Sequence, residues 1–324
     1  MKIAFIVDPL DRLDPGHDST VAMMEAAQQA GYEVWTTELS SLSVQQGQAW
    51  AELARLAINP VTLVDGHYQV TQPWYQSQSP QWQDLSTFTA VFMRKDPPVT
   101  IPYLYATYIL DLLTPSSTLV ANSPSGLRDA NEKMYTLQFA SVMPETVVSQ
   151  DKAVIRTFTQ QHGAAVLKPL GGKAGEGILF LEDGDRNFNS LIEVSTRQGQ
   201  EPVMVQRFLP EAKDGDKRII LLDGNPIGAV NRIPSGKEFR GNMAVGGTVA
   251  KAEITPREQE ICAQLKPRLQ ADGLFFVGID VIGGYLTEVN VTSPTGIREI
   301  DRLDSVCLGE QVIDWLNSQG GHLI

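Results

Sequence analysis

Residues 278–299 read GIDVIGGYLTEVNVTSPTGIRE, and the rest of the chain can be placed around this stretch. Two runs rich in β-branched and aromatic residues, 275–281 and 285–291, flank Gly283 and Gly284, the pattern of a tight β-hairpin. Glu288 and Asn290 are two apart, so they leave one strand on the same face. Asp280 faces Glu288 only if the turn holds an odd number of residues, and a three-residue turn over 283–285 is therefore expected. A two-residue turn would pair Asp280 with Thr287 and put the carboxylates on opposite faces. In the expected register, Asp280, Glu288 and Asn290 offer two carboxylates and an amide oxygen. These hard ligands suit Mg²⁺ and leave room for the phosphate oxygens of a nucleoside triphosphate. A bare Glu-x-Asn pair is more often a solvated strand, so its neighbours decide the reading.

A chain of 324 residues, 42% hydrophobic and 20% charged, is long enough for two or three globular domains. Its net charge of −12 speaks against nucleic-acid or anionic-membrane binding as the main activity and favours small-molecule chemistry. With only two cysteines, Cys262 and Cys307, both expected in helices as small core residues, a reducing cytosol is the expected home. The opening MKIAFIVDPL meets Asp8 and Pro9 before any small-residue cleavage site, so no signal peptide is expected. No run approaches the roughly 18 apolar residues that cross a bilayer.

In chain order, a buried strand over 2–7, a helix over 20–30 capped by Asp18 or Ser19, and a strand over 33–36 make a βαβ start. Residues 40–88 are Gln- and Ser-rich and read as irregular structure with short strands. A strand over 90–93 runs into Arg94, Lys95, Asp96, Pro97 and Pro98, where open α/β sheets bind ligands. Arg94 is either a holder of a substrate carboxylate or a surface partner of Asp96. No glycine fingerprint follows the first strand, which disfavours an oxidoreductase dinucleotide fold. A helix over 103–113 and a strand over 118–121 lead to a boundary near 122, and a helix over 130–140 carries Asn131, Glu132 and Lys133.

A helix over 151–162 stops at Gly163, and a strand over 164–167 ends in Lys168. The loop GGKAGEG follows, with Gly171, Gly172, Gly175 and Gly177 free to turn backbone N–H groups toward phosphate oxygens. It lacks the P-loop pattern and sits between strands, where a plain linker is the commoner reading. The strand over 202–206 leads into Gln206, Arg207, Phe208 and Leu209, a segment against which an adenine can lie. Asp216 and Arg218 share a face of the next strand, as a site pair or as an exposed surface pair. From Arg232 to Thr248 a long glycine-rich loop reads as a lid that brings Arg240 over a substrate. The helices expected over 256–272 and 305–318 pack on the sheet. The four histidines lie outside these motifs, and no Ser/His/Asp or Cys/His arrangement is visible.

Taken together, MRKDPP (93–98), NEK (131–133), LKPL (167–170) with its glycine loop, KDGDKR (213–218), RGN (240–242), VGIDVIG (277–283) and LTEVNVTSPTGIREI (286–300) resemble the prokaryotic glutathione synthetases of the ATP-grasp superfamily over essentially the whole chain. The resemblance implies an α/β ATP-grasp fold. Its parts would be an N-terminal parallel-sheet, Rossmann-like substrate domain (1–122), a central lid domain (123–202) and a C-terminal antiparallel-sheet domain with the metal site (203–324). It implies ATP-dependent joining of γ-glutamylcysteine and glycine through an acyl phosphate, with Mg²⁺ or Mn²⁺, in a cytoplasmic homotetramer. By that resemblance Lys133, Lys168 and Asp216 would serve the nucleotide, the 171–177 loop would cover its phosphates, and residues 206–209 would line its adenine. Asp280, Glu288 and Asn290 would hold the metal, while Arg218 and Arg240 would stabilise developing charge. Arg94, Arg232, Ser293, Pro294, Thr295 and Arg298 would meet the peptide substrate. The chain departs from the pattern at Gly171, where relatives often carry Asp. The alternatives are another ATP-grasp carboxylate–amine ligase, such as a D-alanine ligase, and a nucleotide-binding sensor without turnover.

Overall fold

The computed structural model describes residues 1–113, 118–172, 175–234 and 248–319. The apolar run at the amino terminus forms β1 (Lys2–Ile6), and the Asp18 carboxylate accepts the N–H groups of Thr20 and Val21 to start α1 (Ser19–Gln29). β2 (Glu33–Thr37) then pairs parallel with β1. Residues 40–88 hold more regular structure than expected: β3 (Leu42–Gln45), an 11-residue β4 (Gln48–Ile58), β5 (Thr62–Val64), β6 (His67–Gln69), β7 (Tyr75–Ser77) and β8 (Gln81–Asp84). β4 is antiparallel to β2, which makes the sheet mixed where a parallel one was expected. With β9 (Ala90–Met93), α2 (Ile101–Leu110) and β10 (Leu119–Ala121), its order is β10-β9-β1-β2-β4-β3, with β7 and β8 also on β4.

The helix expected over 130–140 is instead α3 (Pro124–Asp129) followed by a 3₁₀ segment, Met134–Phe139. Asn131 breaks the helix by taking the N–H groups of Lys133 and Met134 on its own Oδ1. The middle unit comprises β11 (Thr146–Ser149), α4 (Lys152–His162), β12 (Ala164–Pro169), β13 (Leu179–Glu182), α5 (Phe188–Ser195) and β14 (Val203–Arg207). Its four-stranded antiparallel sheet, β11-β14-β12-β13, has its own core of Ile155, Leu167, Leu181, Phe188, Ile192 and Val205. The last unit comprises β15 (Asp216–Leu222), β16 (Asn225–Ile233), β17 (Thr248–Lys251), α6 (Pro256–Ala271), β18 (Phe276–Ile282), β19 (Tyr285–Asn290), α7 (Ile297–Asp304) and α8 (Leu308–Gln319). Its sheet order is β17-β16-β15-β18-β19.

Two apolar clusters run from the first sheet into the last, one joining Ala4, Met93 and Leu127 to Ile279 and Leu286, the other joining Phe5 and Met23 to Ile220 and Leu308. Buried Asn122 fastens the seam, donating to Phe276 O (2.9 Å) and Val291 O (2.8 Å) and accepting from Phe276 N (2.7 Å). Cys262 is buried in α6, where burial pushes its thiol up to about 12; Cys307, expected in the core, is exposed just before α8. No described helix is long and apolar enough to cross a membrane.

At the foot of α8, Asp301 accepts the Leu308 N–H at 2.8 Å, and burial pushes its carboxyl from an ordinary 3.8 up to about 6. A folded-state pKa above the unfolded one means the ionised carboxylate costs stability, nothing below about pH 4 and the full amount above about pH 6. Asparagine keeps the acceptor and removes the charge. Asp301→Asn is therefore expected to raise the melting temperature at pH 8, by at most about 3 kcal/mol of stability, and to change nothing at pH 4. Equal melting curves at pH 8 would contradict this.

Candidate active site

The β18–β19 hairpin turns through two residues, not three: Ile282 pairs with Tyr285, and Gly283 and Gly284 take φ of 56° and 79°, left-handed values suited to glycine. Asp280 nevertheless pairs with Glu288, because a β-bulge shifts the register between Asp280 and Val281. Thr287 is the inserted residue, and its hydroxyl donates to Asp280 O at 3.2 Å. The expected facing of the two carboxylates thus holds, through a bulge instead of an odd turn.

The ladder continues across the sheet. Arg218 on β15 lies opposite Asp280, and Asp216 lies opposite Arg232, so the start of an expected loop is in fact part of β16. The Arg218 guanidinium donates through Nε to Asp280 Oδ1 (2.6 Å) and through Nη2 to Oδ2 (3.1 Å). Arg232 Nη2 reaches Asp280 Oδ1 (2.9 Å) and Asp216 Oδ2 (2.6 Å). Gly278 makes room for this: a Cβ there would lie 2.8 Å from Pro294 Cβ and 3.1 Å from Arg218 Cδ. Burial raises both aspartates, leaving Asp216 at about 6, but at Asp280 the two guanidiniums outweigh it and hold the carboxyl well below the usual range.

Beside this ladder stand two lysines from other units. Lys133 Nζ donates to Glu288 Oε1 (2.8 Å) and to Gly172 O (2.9 Å), while Lys168 Nζ donates to Gln206 Oε1 (2.6 Å) and Thr287 O (3.4 Å). Burial pulls the Lys168 ammonium below its ordinary range, with Glu288 acting the other way. The glycine loop bends back at Gly177, φ 69°, where a Cβ would meet Pro169 Cγ at 2.8 Å. Glu132, given no role by its place in NEK, accepts Val291 N (2.9 Å), Thr292 N (3.1 Å) and Thr292 Oγ1 (2.8 Å), clamping the end of β19 to the segment before Lys133.

These groups line one cleft of about 310 Å³. Pro144, Val166, Ile178, Phe208, Leu209 and Ile282 are among its apolar lining, and Lys133, Lys168, Gly172, Gly175 and Glu288 among its polar lining. Gln206, Arg207, Asp216, Arg218, Arg232, Asp280, Asn290, Ser293, Pro294 and Thr295 also face it. Gly171 and Gly177 do not. Arg94 and Arg298 are absent from the lining as well: Arg94, 5% exposed, donates to Thr20 Oγ1 (3.0 Å) and Pro294 O (2.9 Å), and Arg298 is buried between Pro15 O (3.1 Å) and Glu25 (2.8 Å). Arg94 is therefore a buried brace and not the surface residue that pairing with Asp96 would make it. Arg240 and most of the expected lid fall outside the described residues. His17, which no motif marked, also lines the cleft, against Glu299.

The donor set fits a hard divalent cation at Glu288 and Asn290, whose side chains both face the cleft. Asp280 differs. Its oxygens accept four N–H groups, from Arg218 Nε and Nη2, Arg232 Nη2 and Asn290 Nδ2, one for each lone-pair direction. It joins a metal only where one of those donors yields.

Known proteins share the chain's sequence and fold. A family model described as the prokaryotic glutathione synthetase N-terminal domain matches residues 1–128, and one described as the prokaryotic glutathione synthetase ATP-grasp domain matches residues 132–305. The chain is 74% identical to the glutathione synthetase of Synechocystis sp. over 319 residues, 98% of this chain and 100% of that one. It is 66% identical to that of Thermosynechococcus vestitus, with the same shares covered. Among solved structures, the ATP-grasp ligase PsnB complexed with a minimal precursor superposes with a TM-score of 0.65 at 18% identity, covering 98% of each chain. The D-cycloserine synthetase DcsG does so at 0.63 and 15%, covering 99% of this chain and 100% of that one. These two likenesses establish the ATP-grasp fold, and the two domain models with the near-full-length relatives establish the closer kinship. The chain belongs to the prokaryotic glutathione synthetase family.

Proposed function

We propose that this chain joins γ-glutamylcysteine to glycine at the expense of ATP, releasing glutathione, ADP and phosphate. The supporting observation is the convergence, in one cleft, of Lys133, Lys168 and Gly172 with the Arg218–Asp280–Arg232 ladder and the 293–295 turn. A cysteinyl carboxylate oxygen attacks the γ-phosphorus, the bond to the β-phosphate oxygen breaks, and an acyl phosphate forms. The glycine nitrogen, having lost its proton, then attacks the carbonyl carbon and phosphate leaves. Such transfers ask the protein for positioning and fixed positive charge more than for a nucleophile.

In this reading Lys133 and Lys168 contact the nucleotide phosphates, with Gln206 holding Lys168 in line, and the backbone of Gly172 and Gly175 covers them. Phe208 and Leu209 bound an apolar slot for the adenine. Arg218 stabilises negative charge on the transferring group, and Ser293, Pro294 and Thr295 meet the peptide. Arg94 and Arg298 act from behind, bracing that turn and α7. Glu288 and Asn290 are the ligands for Mg²⁺ or Mn²⁺, which neutralises phosphate charge when bound. The separate core of the middle sheet supports a three-part division, with the second boundary after β14 (Val203–Arg207), since Val205 belongs to that core, instead of at the expected 202. The exposed apolar residues Ile101, Tyr105 and Tyr108 on α2, with Leu112 just past its end, support self-association into a homotetramer, and the two free cysteines a cytoplasmic setting.

ADP release by the purified protein with ATP and Mg²⁺ tests the reading. Release is expected only with γ-glutamylcysteine and glycine together. Release with D-alanine in place of the pair, or tight ATP binding without release, would transfer the assignment to another ligase or to a sensor.

A further inference from the structure

Of the histidines, His17 alone among the described residues lines the cleft. It sits in the loop before α1, and that loop and the first residue of α1 are docked on the turn leading into α7: Ser19 Oγ accepts Gly296 N and Ile297 N (both 3.1 Å), and Pro15 O accepts Arg298 Nε (3.1 Å). His17 Nδ1 is committed to Glu299 Oε1 in the first turn of α7. Glu299 is 7% exposed, and its second oxygen, Oε2, is buried without a hydrogen-bond partner among the described residues. A buried carboxylate so placed calls for a cation, and His17 is the ion-pair partner it has. The imidazole itself stays 42% exposed, so with Nδ1 occupied its Nε2 edge is the one left for a ligand.

Both amino-acid substrates of the proposed reaction carry a carboxylate that does not react: the α-carboxylate of the γ-glutamyl residue and the carboxylate of glycine. Among the described residues, the other arginines near the 293–295 turn are already engaged. Arg218 and Arg232 face Asp280 and Asp216, while Arg94 and Arg298 are buried in contacts of their own. We infer that His17, oriented by Glu299, binds a non-reacting substrate carboxylate through Nε2–H, with Glu299 as its positioning residue. The inference rests on the ligase reading above and adds the group that recognises the substrate's fixed charge. The imidazolium is favoured here: the hydrogen bond to Glu299 raises its pKa above the ordinary 6.5 against the opposing effect of burial, and Asp14 and Asp18 from its own loop add to the rise. Asp96 faces the same cleft from the end of β9.

Steady-state kinetics of the full chain, varying one substrate at a time, tests this. His17→Gln is expected to raise KM for either γ-glutamylcysteine or glycine by about tenfold to a hundredfold, the loss of one charge-assisted hydrogen bond, with KM for ATP and kcat within about threefold. Whichever KM moves names the carboxylate. His17→Lys restores the cation and most of the affinity, and removes the rise in that KM that the wild type shows as pH climbs through the His17 pKa. Glu299→Gln shifts that rise to lower pH. The wild-type protein carries a second measurement that needs no variant to fold: the His17 ring resonance, followed by NMR, should titrate at higher pH when the carboxylate-bearing substrate is bound. Both amino-acid KM values unchanged in His17→Gln, a loss in kcat alone, or no displacement of the His17 titration by either substrate would overturn the inference. A wild type that fails to turn over the pair overturns the ligase reading by itself, and the NMR titration then still decides whether His17 takes a carboxylate.

Discussion

Asp280→Asn is expected to destabilise the fold by about 3–5 kcal/mol, because it strips the shared counter-charge from two largely buried guanidiniums. Asp280 is 2% exposed, Arg218 7% and Arg232 4%. With asparagine between them, Arg218 keeps Thr295 O and Arg232 keeps Asp216, yet one buried positive charge has no answer, and an amide turns an N–H toward donors. A chain of this size should lose on the order of 10 °C in melting temperature, measured without nucleotide or metal. The guanidiniums hold the folded Asp280 pKa below its unfolded 3.8, so its stabilisation is present above about pH 4 and lost only as pH falls through the lower, folded value. The gap between the two proteins should therefore persist at every pH above about 4. A melting temperature within about 1 °C of wild type would show that the ladder contributes little.

Glu288→Gln should do the reverse: leave the fold standing and remove the activity. The Glu288 side chain is 23% exposed and its partner Lys133 only 5%, but glutamine retains an acceptor for that ammonium and Gly172 O accepts from it as well, so the stability cost should stay within about 1–3 kcal/mol, below that of Asp280→Asn. Turnover is another matter. Glu288 lines the cleft and is paired with Lys133, where the proposal places the metal and the transferring phosphate. Losing its charge there should remove several kcal/mol of transition-state stabilisation, a fall in kcat on the order of 10³-fold. Turnover near wild type would remove Glu288 from the site. A large drop in melting temperature would make its role structural.

The hairpin shows what the sequence carried and what it hid. The chemical demand that Asp280 face Glu288 was readable from residue types, and the pairing is as expected. The device behind it was not: Gly283 and Gly284 form the commoner two-residue turn, and the compensating bulge at Thr287 has no signature of its own. In β4 the inward phase runs Ala49, Ala51, Leu53 and then switches to Leu56 and Ile58, which breaks the alternation that marks a strand, and alanines blunt what remains. Arg232 was named as a site residue, but its place on β16 was hidden by the glycine-rich run after it, although its position opposite Asp216 belongs to a regular ladder. Arg94 stands in a charged strand end of the kind that binds ligands, but α1 and the 293–295 turn close over it, and no local pattern reports such long-range packing. His17 and Glu299 meet across nearly the whole chain for the same reason.

The central claim is that a substrate carboxylate is activated as an acyl phosphate in this cleft. It is tested most directly with γ-glutamylcysteine carrying ¹⁸O in its cysteinyl carboxylate, turned over with ATP, Mg²⁺ and glycine. The account predicts that the released phosphate carries one labelled oxygen, since a carboxylate oxygen becomes the bridge that leaves with phosphorus. Phosphate free of label, or released at the same rate without glycine, would contradict it and make the protein a hydrolase of the nucleotide.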